Sequence, residues 1–436
     1  MEDKSETIRI LRRNNYQQCP MPVSIKKNVG YLLLIQGGNY ILPLLLFPYL
    51  GRILGQEQFG VLAYCQAIAQ YFIIFTDFGF SLTATRRIAI ARSDSQELSV
   101  VYSATMYVRI LFTVVAFFAL LASVFGIARI HEYVWILAGT FIGVIGSALF
   151  PIWLFQGLEQ MKTLMLANMM SKVLTFATVL LFVQSQNDTA LAAACIGLGN
   201  LSMALMAAWI IWRKKLVKFQ FPGWLELGKA ARDGWPIFLS TVVSSSYMNL
   251  NAILLNEAHG SAAVGVFSMA DKIRLAVQAA ISTIVQAYYP RISLQMHENL
   301  QQALASLKKI FFIVGGMSLL ACIGLQISAS WLILTFIPKF AASIPLLRLE
   351  AMLLPVISVA LVYGHLGLLT LGKASQISRV YLLVGVLHIF YAIPLTKYAA
   401  ASGTILSLLI TESLASILIC WYFHRVKSHL KTINTL

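Results

Sequence analysis

Twelve long apolar stretches run along the chain, each separated from the next by a shorter polar or charged loop. A helix needs about 20 mainly apolar residues to cross the hydrocarbon core of a bilayer. The predicted spans are residues 31–50, 60–80, 102–126, 133–155, 164–183, 190–212, 235–256, 263–289, 310–327, 344–370, 379–396 and 400–423. The pattern predicts an all-α polytopic membrane protein with twelve transmembrane helices.

The loops alternate between rich and poor in Lys and Arg. With the N-terminal end in the cytoplasm, 24 of the 33 basic residues lie in cytoplasmic segments, 4 lie on the other side and 5 lie within spans. Cytoplasmic loops of membrane proteins collect Lys and Arg. The bias predicts that both termini are cytoplasmic, and that Arg86 and Arg87 end the second span on the cytoplasmic side.

The longest central loop, residues 213–234, divides the spans into two sets of six. Five residues of the first set recur 205 positions later, and these pairs are Gly55 and Gly260, Gly60 and Gly265, Val61 and Val266, Ile68 and Ile273, and Arg86 and Arg291. Six is even, so both sets have the same orientation, which is a parallel repeat. The expected organisation is a polar tail over residues 1–24, bundles over 25–212 and 235–424, a linker over 213–234, and a cytoplasmic tail over 425–436.

Composition excludes several other classes of protein. Only 11% of the residues are charged and the mean hydropathy is +0.76, whereas a soluble chain has about 25% charged residues. The net charge of +16 therefore reflects cytoplasmic loops and does not predict nucleic-acid binding. The cysteines and histidines have no metal-ligand spacing, and no catalytic motif such as GxSxG, HExxH or a P-loop occurs. We expect no metal, no cofactor and no enzymatic activity.

The first 20 residues are polar and lack the apolar core of a signal peptide. Met21 precedes a short basic stretch and the first span. We expect residues 1–20 to be a disordered extension, or translation to start at Met21 and not at Met1.

Ionisable side chains within the predicted spans are costly, about 3 kcal/mol each at the centre of a bilayer, and usually face a cavity or a partner. They are Asp77, Arg109, Lys172, Asp271, Lys272, Arg274, Arg348, Glu350 and Glu412. Arg109 is close enough to the cytoplasmic side to extend its guanidinium to the surface. For Asp77, a local pair with Arg109 or Arg86 and a role in transport are both open.

Basic residues are the candidates for binding an anionic cargo. Lys172 is near the middle of its span, and Lys272 and Arg274 share one turn of another. Asp271 and Arg274, at positions i and i+3, share a helix face, so they can also simply neutralise each other. Arg52 and Arg348 are further candidates, near the outer side of the membrane.

Carboxylates within the spans are the candidates for ion coupling. They are Glu412, Glu350, Asp77 and Asp271, and a helix–helix hydrogen bond is the alternative for Glu350 and Glu412. The stretch STVVSSSYMNLN, residues 240–251, is unusually polar for a membrane helix. It provides either partners for sugars or small residues for helix packing.

Residues 42–89 resemble the beginning of the Wzx-type O-antigen and polysaccharide flippases, members of the multidrug/oligosaccharidyl-lipid/polysaccharide superfamily. The matching features are Pro48-Tyr49-Leu50, Arg52, LGxxxFG over residues 54–60 and TDFGF…ATRR from Thr76. FSMADKIRLAVQ, residues 267–278, and YYPRIS, residues 288–293, match the second half of the same family. The resemblance covers nearly all of residues 22–425.

The resemblance implies a bacterial inner-membrane transporter built from two six-helix bundles, with a MATE-like architecture. Its cargo would be an undecaprenyl-pyrophosphate-linked oligosaccharide, carried from the cytoplasmic to the periplasmic leaflet. The implied surroundings are the lipid bilayer and, as protein partners, an O-antigen polymerase and a chain-length regulator.

Two alternatives remain open at this stage. A cation-coupled drug antiporter would share the fold but would need a carboxylate-dominated cavity, whereas the deep charges in this sequence lean basic. A membrane polymerase or acyltransferase of the same pathway would need a large periplasmic loop, and the longest outer loop, about residues 328–343, is short.

Overall fold

The computed structural model describes residues 25–433, and every regular element in this range is helical. The first half contains α1, Ile25–Asp77; α2, Phe80–Ile90; α3, Ser95–Gly126; α4, Ala128–His131; α5, Val134–Leu149; α6, Ile152–Gly157; α7, Met161–Phe182; and α8, Thr189–Lys214. The second half contains α9, Trp224–His259; α10, Ser261–Glu298; α11, Leu300–Phe336; α12, Ser343–Ala351; α13, Leu353–Ala360; a π-helical segment, Leu361–Leu368; and α14, Ala374–Ile433. The predicted tail of residues 1–24 lies outside the described residues.

Eight helical stretches in the described part of the chain are long and apolar enough to cross a membrane. Two of them, Leu44–Ser93 and Ala374–Ser428, contain 50 and 55 residues. At 1.5 Å per residue, continuous helices of these lengths would measure about 75 and 82 Å, more than twice the thickness of the hydrocarbon core. Each is broken, one at Gly55 and the other at Ala399–Ala400. The protein is therefore an all-α membrane protein, and the count of twelve crossings stays a prediction.

Gly55 and Gly260 occupy the same backbone conformation at equivalent places in the two halves. Gly55 has φ 73° and ψ 179°, and Gly260 has φ 81° and ψ 175°. This left-handed φ favours glycine, because a side chain would be strained there. Each glycine interrupts the helical backbone between two long helices, so the sequence repeat at positions 55 and 260 has a structural counterpart.

Gly60 and Gly265, the second repeated pair, bring α1 and α10 into direct backbone contact. A β-carbon at Gly60 would overlap the Ser261 carbonyl oxygen and lie 2.7 Å from the Gly265 nitrogen. A β-carbon at Gly265 would overlap the Gln56 carbonyl oxygen. The two halves therefore meet closely on the face of the molecule that holds Gly55 and Gly260.

The segment DFGF ends α1 with a tight turn. Phe78 and Gly79 both have positive φ, 46° and 79°. A β-carbon at Gly79 would lie 2.7 Å from Ile237 on α9, so this glycine also permits a close approach. The ring of Phe78 stacks on that of Phe238 with centroids 4.5 Å apart. The turn thus fixes the end of α1 against the first part of α9.

The apolar core continues across the central linker. α5 packs along α8, α9 packs along α14, and α1 contacts both α9 and α10. One cluster of buried residues includes Leu54 and Val179 from the first half and Leu255 and Ile333 from the second. The charged and polar side chains discussed below lie where these helices from both halves converge.

Candidate functional site

Asp77, the last residue of α1, faces the buried guanidinium of Arg109 on α3. The Arg109 Nη2 lies 3.6 Å from the Asp77 Oδ1 and donates to the Ser147 carbonyl at 3.0 Å. The Ser81 hydroxyl donates to the same carboxylate at 2.7 Å. Of the two interpretations of Asp77, the structure favours the local pair. Arg109 is buried against this partner and does not extend to the surface.

Arg274 on α10 is surrounded by acceptors. It donates to Asp271 and to Gln278 on its own helix, and its Nε lies 3.6 Å from the Glu350 Oε2 on α12. Glu350 is fully buried, and neither of its carboxylate oxygens accepts a hydrogen bond from a described residue. The Asp271–Arg274 pair predicted as the neutralising alternative is therefore present, with a second carboxylate behind it.

A cavity of about 330 Å³ opens beside this cluster, between α1, α9, α10, α13 and α14. We call it the carboxylate chamber. Its polar lining consists of Gln70, Ser245, Asn249, Asp271, Arg274 and Glu412. Ser245 and Asn249, which belong to the polar stretch 240–251, thus line a cavity. No group of three or more acidic, His or Cys residues within the described chain has a metal-binding arrangement.

Glu412 is the end of a buried hydrogen-bond network that faces the carboxylate chamber. The Tyr247 hydroxyl donates to its Oε1 at 2.9 Å, and the Asn251 amide donates to the Tyr247 carbonyl at 2.8 Å. The His388 ring bridges Asn251 Oδ1, at 3.2 Å, and Thr411 Oγ1, at 2.6 Å. The network ties α9 to α14 and fixes the position of the Glu412 carboxylate.

A second, smaller cavity of about 100 Å³ contains Lys172. We call it the lysine chamber, and its lining includes Phe47, Gln66, Thr175 and Phe176. Lys172 makes no hydrogen bond or ion pair with another described residue. The Lys272 Nζ lies 4.0 Å from the centroid of the Phe47 ring, a cation–π distance. Phe47 therefore contacts Lys272 and also lines the cavity that contains Lys172.

Arg52 and Arg348 are exposed and line neither chamber. Arg52 donates to the carbonyls of Thr335, at 2.8 Å, and Phe336 at the end of α11. Cations are favourable at helix C-termini, where carbonyls lack partners. Arg348 donates to the Gln326 carbonyl and the Ser330 hydroxyl, both at 3.2 Å. Their contacts are those of residues that join helices.

The face that contains Gly55 and Gly260 is held together across the two halves. Besides the Gly60–Gly265 contact and the Arg52 bonds, the Lys339 ammonium donates to the Arg52 carbonyl at 3.0 Å. Gln56 donates to the Lys339 carbonyl. We call this set of contacts the glycine seam.

On the opposite face, the Arg87 Nη2 lies 2.6 Å from the Glu226 Oε2 and links α2 to the start of α9. The hydrogen bond from Arg87 holds the pKa of the Glu226 carboxyl below its usual value. Arg87, predicted as a basic stop, also makes a specific contact with the second half.

Sequence analysis missed Tyr247, Asn251 and His388 as members of one network. Asn251 belongs to the polar stretch 240–251 and His388 lies within an apolar predicted span, and these were the available signals. Only the packing of α9 against α14 shows that they meet.

Comparison with known proteins decides the family. The polysaccharide biosynthesis protein family matches residues 25–297. The chain belongs to this family. It is 31% identical over 409 residues to a protein named "Putative O-antigen transporter" from Escherichia coli (strain K12), covering 93% of this chain and 98% of that protein.

Solved structures establish the fold independently. An inward-facing conformation of a multidrug resistance MATE family transporter of the MOP superfamily superposes with a TM-score of 0.75 at 17% identity, covering 93% of this chain and 96% of that one. An outward-facing conformation of such a transporter has a TM-score of 0.62 with the same identity and coverage. The MATE-like architecture expected from the sequence is confirmed.

Proposed function

We propose that this protein flips undecaprenyl-pyrophosphate-linked O-antigen repeat units from the cytoplasmic to the periplasmic leaflet of the bacterial inner membrane. Membership of the polysaccharide biosynthesis family and the transporter name of the relative from E. coli support transport of a lipid-linked oligosaccharide. The same relationships argue against an enzyme. An O-antigen polymerase and a chain-length regulator are the proposed protein partners, which would consume and measure the flipped units.

The observation that carries the proposal is the lysine chamber. Lys172 lies between apolar helices with no described partner, and Lys272 adds a second positive charge at the Phe47 ring. A charge inside a membrane span is costly unless a partner compensates it. The pyrophosphate of the cargo is such a partner, because it carries negative charge and cannot enter hydrocarbon alone.

The proposed architecture has twelve crossings in two bundles of six. The breaks at Gly55 and Ala399–Ala400 divide the two longest apolar stretches, and the matching turns at Gly55 and Gly260 support a parallel repeat. With both termini in the cytoplasm, the glycine seam lies on the periplasmic side. A conformation closed at the glycine seam would then be inward-facing. This agrees with the TM-score, which is higher for the inward-facing MATE transporter than for the outward-facing one.

Thiol labelling tests this topology. In a cysteine-free background, an impermeant reagent applied to spheroplasts should label an Asn187→Cys protein, in the loop before α8, and leave a Gly223→Cys protein, in the central linker, unlabelled. Labelling of the Gly223→Cys protein alone would show that the topology is the reverse of the one proposed.

A cation-coupled small-molecule antiporter is the second candidate, and the carboxylate chamber favours it. Contrary to the expectation of a basic cavity, Asp271 and Glu412 line this chamber and Glu350 lies behind it, so that three carboxylates surround one guanidinium. The antiporter predicts resistance to cationic dyes in an efflux-deficient host. It also predicts no restoration of surface O-antigen in a flippase-null strain.

Complementation of that flippase-null strain tests the proposed function. Lys172→Ala and Lys272→Ala should leave lipid-linked repeat units on the cytoplasmic leaflet, while Lys172→Arg and Lys272→Arg retain much of the transport because they keep the charge. Lys308→Ala, which removes an exposed lysine, is the matched control. Normal flipping by both the Lys172→Ala and the Lys272→Ala proteins, at normal membrane levels, would contradict the proposed role of the lysines.

A further inference from the structure

We propose that the carboxylate chamber is a carbohydrate subsite that binds the sugar next to the pyrophosphate, while the lysine chamber holds the pyrophosphate itself. This inference rests on the proposed function. It divides the recognition of one cargo between two cavities of different chemistry.

The two chambers are neighbours along α1, and α10 lines one of them and contacts a residue of the other. Gln66 lines the lysine chamber and Gln70 lines the carboxylate chamber. They are four residues apart on α1, so they share a helix face and are separated by about 6 Å along the axis. On α10, Lys272 reaches Phe47 while its neighbour Asp271 lines the carboxylate chamber. The spacing fits a pyrophosphate and the sugar bonded to it.

The carboxylate chamber is unsuited to a phosphate. Arg274, the one cation among the described residues of its lining, already donates to Asp271 and Gln278 and lies beside Glu350. Bidentate binding of a phosphate would require these contacts to break. Glu412 adds a second carboxylate to the lining, so the described residues of this cavity offer an incoming anion no unpaired cation.

The same lining is suited to hydroxyl groups. A sugar hydroxyl both donates and accepts, and the chamber offers carboxylate acceptors together with side chains that do both, Gln70, Ser245 and Asn249. Phe267, Leu353 and Ile357 add an apolar wall, against which the C–H face of a sugar ring can pack. The volume of about 330 Å³ falls in the range of about 300–1,000 Å³ typical of small-molecule pockets.

Cysteine protection with separate halves of the cargo tests the division. Gln66→Cys and Gln70→Cys are made in a cysteine-free protein in nanodiscs, and their labelling rates with a small thiol reagent are measured. The first probe is the free oligosaccharide released by mild acid from the lipid-linked repeat of the strain that encodes the chain. The second probe is inorganic pyrophosphate.

We expect the oligosaccharide to slow labelling of the Gln70→Cys protein and pyrophosphate to slow labelling of the Gln66→Cys protein, with no effect of either probe in the other chamber. Adding Asn249→Ala should raise the oligosaccharide concentration needed at Gln70→Cys by about tenfold, the loss of roughly one hydrogen bond, and leave pyrophosphate protection unchanged. Lys172→Ala should raise the pyrophosphate concentration needed at Gln66→Cys and leave protection by the oligosaccharide unchanged.

The inference would be overturned if pyrophosphate protected the Gln70→Cys protein. It would also be overturned if the oligosaccharide, at about 10 mM, did not protect that protein. Complementation by the cysteine-free parent separates this result from failure of the proposed function. If the parent restores O-antigen without this protection pattern, only the subsite assignment is wrong. If it restores none while inserting normally, the proposed function is wrong.

Discussion

Replacing Gly60 by alanine should open the glycine seam. The new β-carbon would lie 2.7 Å from the Gly265 nitrogen and overlap the Ser261 carbonyl oxygen. Both obstacles are backbone atoms of α10, so no side chain can move aside, and α1 and α10 must separate. Overpacking of this kind costs about 1–3 kcal/mol.

This cost falls on the state in which the seam is closed. If a state with the seam open exists, as transport by alternating access requires, the equilibrium shifts toward it by about 5- to 150-fold. Gly265→Ala should act in the same direction, because its β-carbon would meet Gln56 across the same contact. The double variant should shift the equilibrium by less than the sum, because separating the helices once relieves both clashes.

Thiol reactivity at Val264 measures this shift. Val264 is fully buried next to Gly265, so a Val264→Cys thiol in a cysteine-free protein should react only when the seam opens. In nanodiscs its labelling rate should rise at least fivefold with Gly60→Ala, the lower end of the calculated range. Gly315→Ala is the matched control, because a β-carbon there meets nothing within 4 Å. An unchanged labelling rate with Gly60→Ala, in protein of normal yield, would refute the inference that this contact holds the glycine seam closed.

Two further predictions concern the carboxylates. Asp77→Asn should lower the yield of inserted protein and its melting temperature. The reason is that removing the partner of the buried Arg109 destabilises the protein by about 3–5 kcal/mol. Glu159→Gln, which breaks an exposed ion pair, should change neither quantity. Transport in vesicles with an imposed pH gradient should lose its dependence on the gradient in Glu412→Gln or Glu350→Gln, and unchanged dependence in both variants would leave neither carboxylate as the coupling group.

Hydropathy and glycine spacing predicted much of the fold. An apolar run of about 20 residues has few alternatives to a membrane helix, since its backbone groups must bond within the helix. The repeat at Gly55 and Gly260 was visible in sequence, and the structure gives both residues the same left-handed φ. The contact between Gly60 and Gly265 was not predicted, because a repeat shows which positions are equivalent and not which ones touch.

The site was harder to predict because its members come from different helices. The i,i+3 spacing predicted the pair of Asp271 and Arg274, which a single helix determines. The approach of Glu350 to Arg274 depends on how α12 packs on α10, and helical periodicity contains no such information. The same holds for Tyr247 and Glu412, which lie 165 residues apart.

The ionisable residues within the predicted spans, counted along the sequence, favoured one basic cavity. The structure instead separates these charges between two cavities. The helices sort the same residues into two places. Lys172 lies in a cavity that Phe47 also lines, and Lys272 contacts that ring, whereas Arg274 lies with Asp271, Glu350 and Glu412 at the other cavity. A cavity of one sign would suit a ligand of one chemistry. A lipid-linked oligosaccharide is anionic at its pyrophosphate and rich in hydroxyls beyond it, so a transporter that releases it must hold both parts without binding either too tightly. Basic and acidic chambers one helical turn apart would meet this requirement if, as we propose, each recognises only its own part of the cargo.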